Sequence, residues 1–188
     1  MSIESLILDL HRFDEAATIL FDQKFIVPGL ALLYTGIDIA SSLERLGHEG
    51  TKSSFMRWSD SYLLRNSTLS CTSADLYSAR CGILHAHTPE SDLTRKGKAK
   101  KILYAWGTAT ANSLDAIARH AKRSDEVNIH VNDLLDAFRI GIDEWIIEVR
   151  NNSTRTAKVE KRSMSWFTNL PKEMIEEALK GIPKEREK

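Results

Sequence analysis

Residues 3–24 set the class of fold. Ile3, Leu6, Ile7, Leu10, Phe13, Ala17, Leu20 and Phe21 recur at helical steps, which lines one face of an α-helix with apolar side chains. A second run follows with Leu30, Leu33, Tyr34, Ile37 and Leu43, opened by Pro28 and closed by Gly47. Proline loses no needed hydrogen bond in a first helical turn, and glycine is a natural stop. This helix is expected to reach about Leu46, and Phe55, Trp58 and Tyr62 place a third near Ser53 to Arg65. Each apolar stripe must be laid against another element, so the chain is committed to a mainly α fold.

The later elements are shorter. Thr72 or Ser73 is placed to cap a helix that Pro89 ends by about Thr88. Two short β-type runs, near residues 101–106 and 127–131, are expected to pair as a two-stranded ribbon around a helix from Asn112 to Lys122. Asn132 or Asp133 then caps a helix to Arg150 that presents Leu134, Leu135, Phe138, Ile142, Trp145, Ile146 and Val149. Beyond Arg150 apolar residues almost vanish, so Asn151 to Ser165 reads as a loop. Trp166 and Phe167 are suited to dock the tail, and Lys172 to Lys180 to form a last short helix. The expected organisation is a helical domain over 1–150, then a polar linker and short helical tail over 151–188.

With 188 residues, 42% of them hydrophobic, the chain is long enough for one domain with a real core. Basic and acidic residues balance at 26 each, so no net field is available to hold nucleic acid, and any RNA site must be a local patch. Cys71 and Cys81 show no disulfide framework and read as reduced thiols. No basic flank or cleavage site marks a secretion signal, and apolar runs such as Gly29 to Tyr34 fall short of the ~20 residues a membrane helix needs. A cytoplasmic protein without a membrane segment is expected. No phosphate-binding loop, dinucleotide glycine fingerprint or nucleophile elbow occurs, which argues against ATPases, dehydrogenases and serine hydrolases.

The chemistry is concentrated in Asp75-Leu-Tyr-Ser-Ala-Arg-Cys-Gly-Ile-Leu-His85-Ala-His87. Arg80 precedes His85 by four intervening residues and His87 by six. A guanidinium offers a planar fork to a phosphate, and a histidine moves protons near neutral pH. Together they suit attack of an RNA 2′-hydroxyl on its neighbouring phosphate, with no metal and no cofactor required. On a regular helix Tyr77, Cys81, Leu84 and Thr88 form the inward stripe. Arg80 and His87 then lie about 20° apart, while His85 points about 140° away from Arg80. Either a distorted helix near Gly82 or a site pooled between two chains would bring His85 back.

The segment from Asp75 to Gly107, with its two preceding long helices, resembles bacterial proteins of the HEPN superfamily, whose motif is R-x(4–6)-H. The resemblance covers about residues 3–150. It implies a helical bundle, a homodimer and a metal-independent endoribonuclease, with Arg80, His85 and His87 as catalytic residues and an antitoxin or other operon partner. One departure stands out: many active members carry Asn, Asp or His directly after the arginine, where this chain has Cys81. The alternative is therefore a catalytically inactive HEPN-like dimer that serves as a binding or scaffold module.

The same residues admit structural roles. Arg80 is within reach of ion pairs with Asp75 or Glu90, and Cys81 suits a small buried apolar position. Cys71, Cys81, His85 and His87 have residue types that bind zinc, but no C-x-x-C pair accompanies them, and no metal is expected. Arg95, Lys96, Lys98, Lys100 and Lys101 form the densest basic run, either an RNA-phosphate grip or a solvated surface. Tyr104 and Trp106 beside it suit base stacking or, in a β-like segment, core packing. Arg123 and His130 repeat the motif spacing but straddle a helix end, and are treated as a decoy.

Overall fold

The structure, a computed structural model, describes residues 3–86 and 91–164, with 176, 177 and 180 beyond them. In chain order the first elements are α1 (Ile3–Asp22), α2 (Ile26–Leu43), α3 (Thr51–Trp58) and α4 (Ser73–Cys81). α3 runs directly into a π-helical turn over Ser59–Leu63, and α4 into another over Gly82–Ala86. Then come α5 (Asp92–Arg95), β1 (Lys101–Ala105), α6 (Ala111–His120), β2 (Glu126–His130), α7 (Val131–Arg150) and α8 (Ser153–Ser163). The fold is mainly α with one small sheet, as the periodicity requires.

α2 is the centre. Its only charge is Asp38, and α1, α3, α7 and α8 all pack on it. By length and composition alone α2 would cross a membrane, but half of it is buried inside this fold. Counting only unbroken apolar runs had missed this helix. α1 folds back on α2 through a tight turn in which the Phe25 N–H reaches the Leu20 carbonyl at 2.7 Å and Lys24 takes a left-handed φ of 64°. The largest fully buried side chains are Trp58, Trp145, Tyr34, Phe55 and Phe138.

Two glycines set how close α7 comes. A Cβ on Gly36 would lie 2.7 Å from the Phe138 ring, so this ring of α7 occupies the space over α2. A Cβ on Gly141 would lie 3.0 Å from the Tyr62 carbonyl oxygen, in the π turn after α3. That turn is defined by the Leu64 N–H donating to the Ser59 carbonyl at 2.8 Å, five residues back.

The ribbon is parallel, pairing Lys101 with Glu126 through to Ala105 with His130, and α6 is its crossover. Parallel strands need such a connection. Ile102, Val127 and Ile129 face the core, and the Tyr104 hydroxyl meets that of Tyr34 at 2.6 Å. Burial raises the pKa of both phenols. Trp106 is not a core residue: 45% of it is exposed, because β1 has already ended. The cap of α7 is His130, whose Nδ1 accepts from the Asn132 N–H at 3.1 Å, in place of Asn132 or Asp133.

Two further expectations are corrected. The buried residues of α4 are Ser73, Asp75, Leu76, Ser78 and Ala79, while Tyr77, Cys81 and Leu84 are only half-buried. Polar side chains can face inward here because Thr72 and Asp75 form a reciprocal cap and the Ser78 hydroxyl meets that of Ser91 at 2.6 Å. Residues 153–163 are helical rather than a loop. α8 buries little apolar surface, chiefly Val159, and is held by polar bonds instead. Arg155 donates to Glu44 at 3.1 Å, to Glu148 at 3.1 Å and to the Tyr62 hydroxyl at 2.7 Å. Arg162 donates to the last carbonyl of α2, Leu43, at 2.9 Å, and Glu160 accepts from the Ile3 N–H at 3.1 Å. Trp166, Phe167 and most of the expected helix over 172–180 lie outside the described residues.

Removing Arg155 strands Glu44 and Glu148, so Arg155→Ala is expected to cost about 3 kcal/mol, read as a lowered denaturant midpoint with unchanged slope. Glu49 supplies a pH test. Two bonds from Arg57 and one from the Leu46 N–H lower its pKa to about 2. A carboxyl so depressed contributes stability that is fully present above its unfolded pKa of roughly 4.3. That contribution is lost as pH falls towards about 2. The stability gap between wild type and Glu49→Gln should therefore shrink over that window in denaturant titrations.

Candidate active site

The motif residues meet at the C-terminal end of α4. Gly82 opens the π turn directly after Cys81. Hydrogen bonding to the fifth residue back widens the coil, so residues five apart come nearer to one side than the 140° of a regular helix allows. His85 is thereby returned to Arg80: Nη1 of Arg80 lies 2.5 Å from Nε2 of His85. Because the guanidinium can only donate, Nε2 is the acceptor and Nδ1 carries the ring proton. The distortion expected near Gly82 is present, and it joins the pair within a single chain.

The third member is Asp38, the sole charge on α2. Arg80 Nε donates to its Oδ2 at 2.7 Å, and Nη2 contacts the same oxygen. The ion pair is largely covered, with 13% of the Arg80 side chain and 18% of Asp38 exposed. Asp38 Oδ1 is buried without a partner. Burial by itself lowers the guanidinium's pKa, but Asp38 and Cys81 outweigh it and the net shift is upward. Arg80 is thus a fixed cation, and neither Asp75 nor Glu90 is needed to explain its pairing. His85 is exposed. The face that carries it joins a covered, oriented guanidinium to an open imidazole.

Sequence reading missed Asp38. Its signal was available: one carboxylate inside an eighteen-residue apolar helix must find a partner. What the sequence does not give is the partner's identity, since Arg80 lies 42 positions away.

The other candidates are more scattered. His87 and Glu90 lie outside the described residues. Arg95, Lys96, Lys98 and Lys100 are exposed and Lys101 is half-buried. They run alongside α4 towards its N-terminus, since Ser91 bonds Ser78 and the Lys100 N–H donates to Asp75 at 2.5 Å. Ten residues of helix, roughly 15 Å, separate Asp75 from His85, so the end of the basic run leads away from the Arg80–His85 pair. Arg95 itself is ion-paired with Asp92. Cys71 is buried, and burial followed by the nearby Asp75 pushes its thiol up to about 12. It precedes α4 while Cys81 ends it, so the two cannot share one zinc ion. No group of three metal-binding side chains gathers among the described residues. Arg123 bonds Glu126 and His130 caps α7, so this second match to the motif spacing is not assembled.

Compared with protein-family models, curated proteins and solved structures, the chain matches none.

Asp38 holds Arg80 in a mostly dry place, and removing it leaves a cation uncompensated. Asp38→Ala should cost about 3 kcal/mol, whereas the paired apolar replacement Asp38→Leu with Arg80→Met should recover most of that loss. Thermal or denaturant unfolding of the three proteins is the measurement. Equal destabilisation by single and double variants would show that the pair is not coupled.

Proposed function

We propose that this chain is a metal-independent endoribonuclease of HEPN type that acts as a homodimer in the cytoplasm. The observation that carries the reading is the π turn that sets His85 on Arg80, with Asp38 fixing the guanidinium from behind. In the proposed reaction the substrate phosphate takes donors of Arg80 and displaces Nη1 from His85. The freed Nε2 accepts the 2′-hydroxyl proton as the 2′-oxygen bonds to phosphorus and the bond to the 5′-oxygen breaks. The leaving oxygen takes a proton from a second acid, His87 or the partner subunit's His85. The products are a 2′,3′-cyclic phosphate and a 5′-hydroxyl. The exposed lysines of the basic run would track the flanking strand. Toxin or defence biology, with an antitoxin-like operon partner, is what this class of activity implies.

A second reading is favoured by one observation. Arg80 is paired with a carboxylate and largely covered, which suits a silent HEPN-like dimer used as a scaffold. RNA cleavage by the purified protein, with and without EDTA, separates the two. The enzyme reading expects cleavage that survives EDTA and leaves ends resistant to direct 3′-ligation. Arg80→Ala and His85→Ala should each lower the rate at least about 10²-fold with helicity unchanged. His87→Ala then tells which histidine is paired with the arginine in function. Both histidine variants cutting at wild-type rates would sink the catalytic reading, and an inert wild-type protein would favour the scaffold. Light scattering should return about twice the 21.2 kDa chain mass in either case.

A further inference from the structure

A second polar site lies at the ribbon, apart from the Arg80–His85 pair. The parallel strands β1 and β2 end side by side, and each feeds towards a helix N-terminus, α6 through Gly107–Thr110 and α7 directly. Ligand clefts in α/β units open at the carboxyl ends of the strands. A cleft of about 490 Å³ opens here, within the range that holds small molecules. His130 closes its floor. Its Nδ1 accepts from the Asn132 N–H, so Nε2 carries the proton and donates to the Gly107 carbonyl at 3.3 Å, tying the two strand ends together.

The decisive residue is Asn128. It lines the cleft, is 3% exposed, and donates Nδ2 to Asp115 Oδ1 at 2.6 Å. That bond fixes which way the amide faces, and Oδ1 is left buried with no partner. A buried acceptor without a donor is costly, so the site is built to receive an N–H or O–H. Asp115 and Asp133, also in the lining, add further acceptors. The opposite property comes from the helix ends: the N–H groups of Ala111 and Asn112, in the first turn of α6, have no partner in their own helix. Gly107, with φ of 64°, turns the chain so that this helix start faces the cleft.

These two sets of groups decide the ligand chemistry. An anion would be repelled by the two carboxylates, and no lysine or arginine lines the cleft. A cation would meet the positive ends of two helix dipoles. Only groups that donate and accept at once satisfy both, and hydroxyls do so. Trp106, half-exposed and next in the chain to Gly107, supplies an apolar face of the kind that sugars and bases stack on.

We propose that this cleft binds a neutral vicinal diol, either the ribose of a nucleoside or a saccharide, through Asn128 and Asp115 on its hydroxyl protons and the α6 N-terminus on its hydroxyl oxygens. The assignment is independent of the ribonuclease reading.

The test is titration calorimetry on the full chain with adenosine, 2′-deoxyadenosine, ribose and methyl glucoside at low-millimolar concentrations. At least one diol ligand should bind one-to-one. If the source is a nucleoside, adenosine binds and 2′-deoxyadenosine is weaker by about tenfold, the loss expected for one missing partner of a buried polar group. If the source is a saccharide, ribose or methyl glucoside binds and adenosine does not. Asn128→Leu should weaken the bound ligand by about tenfold or more. Asp133→Ala, at an exposed position, should weaken it too, and keeps the test alive if the buried variant does not fold. Silence across all four ligands overturns the proposal. So does equal affinity for adenosine and its 2′-deoxy form without saccharide binding, or wild-type affinity in every variant that folds.

Discussion

Everything in this fold follows from having to cover α2. A helix that is apolar on nearly every side cannot sit at a surface, and this one is enclosed by α1, α3, α7, α8 and the π turn after α4. Its neighbours therefore come from all along the chain, and the long sequence separations of the core follow. One residue resists the arrangement. Asp38 brings a carboxylate into that enclosed surface, where an unpaired charge is untenable. Arg80 answers it, and the answer fixes a guanidinium at the end of α4. The candidate site is thus the polar consequence of an apolar constraint.

The two π turns do related work. In each, one extra residue in the turn re-aims the side chains that follow. After α3 the turn brings the Tyr62 hydroxyl into bonds with Glu148 and Arg155, which tie α7 and α8 to it. After α4 it turns His85 towards Arg80. The segments differ in support: the first is packed against Gly141 of α7, whereas the second ends at an exposed histidine. The positions of catalytic candidates are therefore less constrained by packing than those of the structural network.

Long apolar periodicities were legible in the sequence because burial imposes them. α1, α2 and α7 appear where Leu6, Leu33 and Phe138 demand, within a few residues at each end. The ribbon was legible too, from β-branched and aromatic runs separated by a helix. What periodicity cannot show is burial that rests on polar bonds. α8 was read as a loop because it has Val159 and little else to hide, yet Arg155, Thr156 and Arg162 fasten it. The inward face of α4 was misplaced for the same reason, since Asp75 and Ser78 are buried by their hydrogen bonds. Trp106 was weighed as a core residue because β1 was taken one residue too far. Arg80 and His85 were found by residue type and spacing, but Asp38 was not, because an ion pair across 42 residues leaves no local pattern.

The Asp38 pair bears directly on whether Arg80 can still act. A guanidinium has five N–H donors. Nε and one N–H of Nη2 go to Asp38, and one N–H of Nη1 goes to His85. One N–H on each terminal nitrogen is left, with Cys81 Sγ no nearer than 4.0 Å to Nη1. The carboxylate therefore takes orientation from the arginine without taking all its capacity. It also lowers the net charge presented to a phosphate, which weakens ground-state binding. Interactions that strengthen only as charge develops on the phosphoryl oxygens are the ones that raise a rate. A guanidinium already held in place by Asp38 loses little freedom in making them, so partial neutralisation and catalysis are compatible at this site.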